Sequence, residues 1–145
     1  MMKRLHLHIK TRDLDRSVAF YTALFGEAPT QLKDDYAKWL LDDPRANVSL
    51  STHATKTGVD HAGVSIETEE ELDAVAQRLA AHADLAPEKQ ANCCYARSNK
   101  YWLKDPQGTV WELFQTYGAS DDYGAEPAIR TAQADPQDAA CCGPQ

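Results

Sequence analysis

Two stretches of the chain open alike. Residues 4–10 alternate, with Leu5, Leu7 and Ile9 on one face and His6, His8 and Lys10 on the other. Residues 61–66 alternate again, with His61, Gly63 and Ser65 sharing a face. A period of two marks a half-buried strand. A helical stretch follows each. In the first, Thr11 or Asp13 can cap, Leu14, Val18, Tyr21 and Phe25 recur at helical spacing, and Gly26 ends the run. In the second, Thr68 and Glu71 form a capping box, and Leu72, Val75 and Leu79 face inward on a helix running to about residue 83. Strand-like runs then occupy 36–41 and 47–52, with Asp42-Asp43-Pro44 as the turn between them. After the second helix they occupy 94–97, 101–104 and 109–115, with Asp105-Pro106-Gln107-Gly108 as a strong turn. The chain therefore reads βαβββ twice, an α+β arrangement. The spacing from His6 to His61 sets a repeat near 55 residues. Module 1 is about 1–57 and module 2 about 58–117, with their sheets expected to face each other around a shared cleft. From Gly118 the pattern fails, and 118–145 reads as a flexible tail carrying Cys141 and Cys142.

Composition narrows the function. The 145 residues carry a net charge of −7, which argues against nucleic-acid binding, since that needs a basic stripe. No stretch reaches the ~20 apolar residues of a membrane helix. The basic start, Met1 to Lys10, has no apolar run behind it, so no signal peptide is read. The expectation is a cytoplasmic protein acting on a small molecule or a metal, with no nucleic-acid or membrane partner. A homodimer is left open.

The four cysteines form two adjacent pairs, Cys93-Cys94 and Cys141-Cys142. A disulfide within such a pair is strained, because neighbouring Cα atoms lie about 3.8 Å apart and disulfides want roughly 4.4–6.8 Å. Neither pair has zinc-site spacing. Two adjacent thiolates can instead hold one soft, thiophilic centre.

His6 and His61 occupy matching places in the two modules. Glu112 lies on the last strand, on the face opposite Trp111 and Leu113. Any one of them alone reads as an ordinary strand residue. Together, two imidazoles and a carboxylate make the facial triad that leaves open positions on Fe(II). His8 shares the face of His6 and is a rival ligand or substrate contact. His53 and His82 read as surface residues. Lys100 and Lys104 flank the cleft and read as solvated lysines in preference to parts of a gating loop.

At this point the sequence resembles a known family. The run from Asp13 to Gly26, Asp-Leu-Asp-Arg-Ser-Val-Ala-Phe-Tyr-Thr-Ala-Leu-Phe-Gly, and the DPxGxxxE run from Asp105 to Glu112 are similar to the vicinal oxygen chelate superfamily. That superfamily includes glyoxalases, bleomycin-resistance proteins and extradiol dioxygenases. The match covers roughly residues 4–116. It implies metal ligands at His6, His61 and Glu112. A fourth ligand, used by glyoxalases, falls on Ser49 when 47–50 is paired with 110–113. Serine is a poor ligand, which leans toward oxygen chemistry and away from a nickel or zinc glyoxalase.

A narrower resemblance rests on Asn92-Cys93-Cys94-Tyr95-Ala96, on Asp35-Tyr36-Ala37 and on the terminal pair. It is to the organoarsenical carbon–arsenic lyases and the cadmium-induced proteins. It implies that Cys93 and Cys94 bind trivalent arsenic beside an Fe(II) and dioxygen site. The implied activity is cleavage of methylarsenite or trivalent aromatic arsenicals to arsenite. The rival is a non-enzymatic cytosolic thiol protein sequestering cadmium or arsenite. The chain departs from that group at the first ligand, where the group carries Gln and this chain His6. Imidazole can fill that role, with consequences for metal preference.

Overall fold

A computed structural model describes residues 2–53 and 55–125. Module 1 contains β1 (Arg4–Lys10), α1 (Leu14–Phe25), β2 (Gln31–Lys33), β3 (Tyr36–Asp42) and β4 (Arg45–Ser51). Module 2 contains β5 (Gly58–Ser65), α2 (Glu69–Leu79), β6 (Ala86–Cys93), β7 (Ala96–Lys104) and β8 (Val110–Ala119). The βαβββ order therefore occurs twice. The two sheets do not merely face each other, as the sequence suggested. Antiparallel pairing of β1 with β5 joins them into one eight-stranded sheet, ordered β2-β3-β4-β1-β5-β8-β7-β6. The order reads symmetrically outward from the β1–β5 seam.

Local chemistry sets the helix ends. Asp13 caps α1 by accepting from the Arg16 N–H at 3.0 Å, and Gly26 ends it at φ 74°, where a side chain would be strained. Thr68 caps α2 and accepts from the Glu71 N–H. That helix stops at Leu79 rather than near residue 83, and the turn after it tightens, with the His82 N–H bonding the Leu79 carbonyl three residues back.

Each helix covers the outer face of its own module. Trp39, Leu41 and Leu50 pack under Leu14, Val18, Tyr21 and Phe25 of α1. Ile66, Leu103 and Leu113 pack under Leu72, Val75 and Leu79 of α2. With both apolar faces turned outward to helices, the alternate residues of the same strands are left to line the inner, concave face.

Two strands differ from the sequence reading. β2 is three residues long, too short to show alternation. β6, Ala-Pro-Glu-Lys-Gln-Ala-Asn-Cys, is a polar edge strand, where charge and proline discourage pairing with other chains. Its presence shifts the hairpin, so Cys94 and Tyr95 form a turn and not the start of a strand over 94–97. At the other end, β8 continues to Ala119, and Gly124 bridges to Cys93, so the fold extends past the tail boundary at 118. Cys141 and Cys142 lie outside the described residues.

Candidate metal centre

The register explains how distant residues meet. His6 pairs with Gly63 across the seam, and Gly63 pairs with Glu112 of β8. Gly63 has to be glycine, because a Cβ there would overlap the Glu112 carbonyl oxygen. The symmetric position in module 1 is His8, which pairs with Ser49. Ser49 is thus the repeat partner of Glu112, as the sequence pairing expected.

His6, His61 and Glu112 converge on the concave face and are all about 95% buried. Glu112 Oε2 lies 3.0 Å from His61 Nε2 and 3.4 Å from His6 Nε2. A divalent ion with nitrogen and oxygen bonds of about 2.0–2.2 Å holds neighbouring donors about 3 Å apart. The separations fit such an ion.

The tautomers fit as well. His6 Nδ1–H donates to the Asn47 carbonyl at 3.0 Å, and His61 Nδ1–H donates to Asp60 Oδ2 at 2.7 Å. Each bond turns an Nε2 lone pair toward Glu112. A backbone carbonyl or a carboxylate behind the imidazole is the usual support of a ligating histidine. Burial pushes the His6 imidazole down to about 4, outweighing the pull of Glu112, so His6 is neutral and able to ligate near pH 7.

The donor nitrogens of His6, His8 and His61 also lie within 4.8 Å of one another. His8 differs in its partners: Nδ1 meets Ser49 Oγ at 3.1 Å and Nε2 meets Ser51 Oγ at 2.9 Å. Its ring stacks on His61, with centroids 5.1 Å apart. Both nitrogens are held by hydroxyls, so His8 serves better as a wall of the site than as a ligand.

Lys100 overturns its sequence reading as a solvated lysine. It is only 5% exposed, and Nζ meets Glu112 Oε1 at 2.6 Å. Lys104, at the end of the same strand, is exposed. Burial alone would raise the Glu112 carboxyl, but Lys100 and the two histidines hold it well below its ordinary range. Lys100 thereby occupies one carboxylate oxygen and leaves the other facing the histidines. Alternation could have revealed it. Trp102 pairs with Glu112, so Lys100, two residues earlier, has to share the concave face.

Cys93 and Cys94 line the same cleft, with Tyr36, Lys38 and Phe114 among the other walls. Their sulfurs lie 3.0 Å apart, and the thiols are not joined as a disulfide. The contact with Cys93 and burial push the Cys94 thiol up, against the pull of Lys100. His53 and His82 are exposed, although His53 bonds Asp35 and stacks on Tyr123. Sequence reasoning also passed over Asp60, whose signal was adjacency to His61.

Among the described residues, no helix is long and apolar enough to cross a membrane. The sequence profile of the Glyoxalase/Bleomycin resistance protein/Dioxygenase superfamily matches residues 3–113. The "Trivalent organoarsenical cleaving enzyme" of Bacillus sp. (strain MD1) is 35% identical, over 99% of this chain and 92% of that protein. The "Cadmium-induced protein CadI" of Mycobacterium bovis is 30% identical, over 99% of this chain and 95% of that protein. Homoprotocatechuate 2,3-dioxygenase from Arthrobacter globiformis superposes with a TM-score of 0.60 at 17% identity, over 85% of this chain and 38% of that one, a likeness of fold alone. The chain belongs to the glyoxalase/bleomycin resistance protein/dioxygenase superfamily.

Proposed function

We propose that this protein is a cytosolic carbon–arsenic lyase. It takes trivalent organoarsenicals, such as methylarsenite or trivalent aromatic arsenicals, and releases arsenite, using Fe(II) and dioxygen. The observation that carries the reading is one cleft lined by both halves of the required chemistry: the thiol pair Cys93 and Cys94, and the donor set His6, His61 and Glu112. The similarity to a named organoarsenical-cleaving enzyme supports it along nearly the whole chain.

Each residue has a task. Cys93 and Cys94 displace two hydroxides from arsenic. Two As–S bonds form, two As–O bonds break, and the thiol protons leave with the hydroxides as water. The remaining substituent is the organic group, turned into the cleft. Lys100 keeps a positive charge beside the thiols and Glu112, which favours the sulfur anions that bind arsenic. His6, His61 and Glu112 would hold the metal, with Asn47 and Asp60 fixing the imidazole tautomers. Fe(II), when bound there, supplies the open positions for dioxygen chemistry at the carbon–arsenic bond. Fixing the arsenical beside that site makes the encounter effectively unimolecular. Phe114 and Trp102 pack against the imidazoles and limit water around them.

Similarity to the cadmium-induced protein favours a second reading, sequestration of a thiophilic ion by the cysteines without turnover. One experiment separates the two. The protein is reconstituted anaerobically with Fe(II), exposed to air with methylarsenite or a trivalent phenylarsenical, and its arsenic speciated by chromatography. The lyase reading expects inorganic arsenite from the wild type and none from Cys93→Ser/Cys94→Ser or Glu112→Ala. Tight arsenical binding with no arsenite released sinks it in favour of sequestration.

A further inference from the structure

Adjacent cysteines in an extended strand point to opposite faces and cannot grip one atom. Here they grip together because of the backbone. Cys93 ends β6 and Ala96 begins β7, and Cys94 and Tyr95 make the two-residue turn between them. Both have positive φ, 59° and 60°. That left-handed pair is the turn normally built from Asn-Gly. Neither residue here is glycine, and a Cβ disfavours the conformation. Yet the turn swings Cys94 Sγ to 3.0 Å from Cys93 Sγ. The sulfur pair exists only while the turn stays left-handed.

Contacts from module 1 and from the segment after β8 close on this turn. The Tyr95 hydroxyl donates to Asp35 Oδ1 at 2.5 Å, bridging 60 residues from the β6–β7 hairpin to the β2–β3 turn. The other Asp35 oxygen meets His53 Nε2. His53 stacks on Tyr123 with centroids 3.8 Å apart, and the Tyr123 carbonyl accepts the Cys94 N–H. Gly124 bridges to Cys93 where a Cβ would overlap the Asn92 carbonyl. These contacts form a ring from Tyr95 through Asp35, His53 and Tyr123 back to Cys94.

Resting on the reading of Cys93 and Cys94 as the arsenic-binding pair, we propose that Asp35 and Tyr95 are positioning residues for substrate capture. Their hydrogen bond ties module 1 to the hairpin tip and holds the turn in the conformation that sets the two-sulfur bite. Neither needs to touch the substrate.

The test uses phenylarsine oxide, which two thiols convert to a cyclic dithioarsenite. Two As–S bonds form, and the oxide oxygen leaves as water with both thiol protons. Binding is measured anaerobically on the reduced full chain carrying Cys141→Ser/Cys142→Ser, so that only Cys93 and Cys94 report. Tyr95→Phe and Asp35→Ala are each expected to weaken binding by about tenfold or more, and the double variant by no more than Asp35→Ala alone, because Asp35→Ala already removes the Tyr95 bond along with the His53 contact. Alkylation by iodoacetamide, which needs one thiol at a time, is expected to stay within about twofold, and the Co(II) absorption spectrum of the metal site to stay unchanged. Tyr95→Gly is expected to restore binding, since glycine takes the left-handed turn unaided. Wild-type affinity in Tyr95→Phe and Asp35→Ala overturns the proposal, and so does Tyr95→Gly binding as weakly as Tyr95→Phe. If the parent protein does not bind phenylarsine oxide, the reading of the thiol pair under the proposed function fails instead, and the latch with it.

Discussion

Lys100 sits where a lysine is expensive, 5% exposed among aromatic and imidazole side chains. What keeps it charged is the Glu112 carboxylate at 2.6 Å, which outweighs the effect of burial and raises the ammonium well above its ordinary value. The pair is mutually dependent. Removing one member of a buried ion pair leaves the other uncompensated, typically at about 3–5 kcal/mol. Lys100→Met is therefore expected to lower the stability of the metal-free protein by about 3 kcal/mol at pH 7, measured by urea unfolding. The loss has a pH signature. In the wild type the depressed Glu112 carboxyl contributes stability above its unfolded value of 4.5, which is lost as pH falls through the folded value. In the variant, burial without Lys100 raises that carboxyl, so the variant gains relative stability as it takes up a proton. The gap between the two proteins narrows toward acid. A gap independent of pH would mean that Lys100 acts through packing and not through Glu112.

At the scale of elements, the site depends on how closely β5 and β8 approach. Gly63 allows β5 to run against the backbone of Glu112. Gly63→Ala forces those strands apart and drags Glu112 from the histidines. Overpacking of this kind costs about 1–3 kcal/mol, and the variant is expected to lose that much in thermal or urea unfolding while also binding Co(II) more weakly. A variant as stable as the wild type would show that the strands give way freely. Elements governed by neighbouring residues were legible in the sequence: the alternation of β1 and β5, the caps at Asp13 and Thr68, and the pairing of Ser49 with Glu112 as repeat equivalents. Elements governed by distant contacts were not. β6 is polar because it is an edge, and the Cys94–Tyr95 turn is held from Asp35, 60 residues away. Lys100 was legible in principle, because the hairpin at Asp105–Gly108 places Trp102 opposite Glu112 and alternation then puts Lys100 on the same face; what the sequence did not announce is the ion pair that lets a lysine be buried there.

For the whole molecule, the seam between β1 and β5 decides how metal and fold are linked. His6 belongs to module 1, and His61 and Glu112 belong to module 2, so an ion held by these three would span the line along which the modules join. Each module has its own outer core and its own tryptophan reporters, Trp39 in the first and Trp102 and Trp111 in the second. A ligand that binds only the native state, present at about 100 times its dissociation constant, adds about 2.7 kcal/mol. For a chain of this length that corresponds to roughly 10 °C in the midpoint. Because such an ion would grip both modules, Co(II) is expected to raise the melting of the Trp39 environment and of the Trp102 environment together, read with single-tryptophan variants. A chelator is expected to return both, and His61→Ala to abolish both shifts. The modules share one sheet and melt as one unit, so the His6→Ala variant separates the cases: an ion held by module 2 alone would keep its full shift in that variant, because module 2 supplies His61 and Glu112. Coincident shifts that persist in His61→Ala would place the ion away from the seam altogether, leaving the convergence of His6, His61 and Glu112 as an ionic network and not a metal centre.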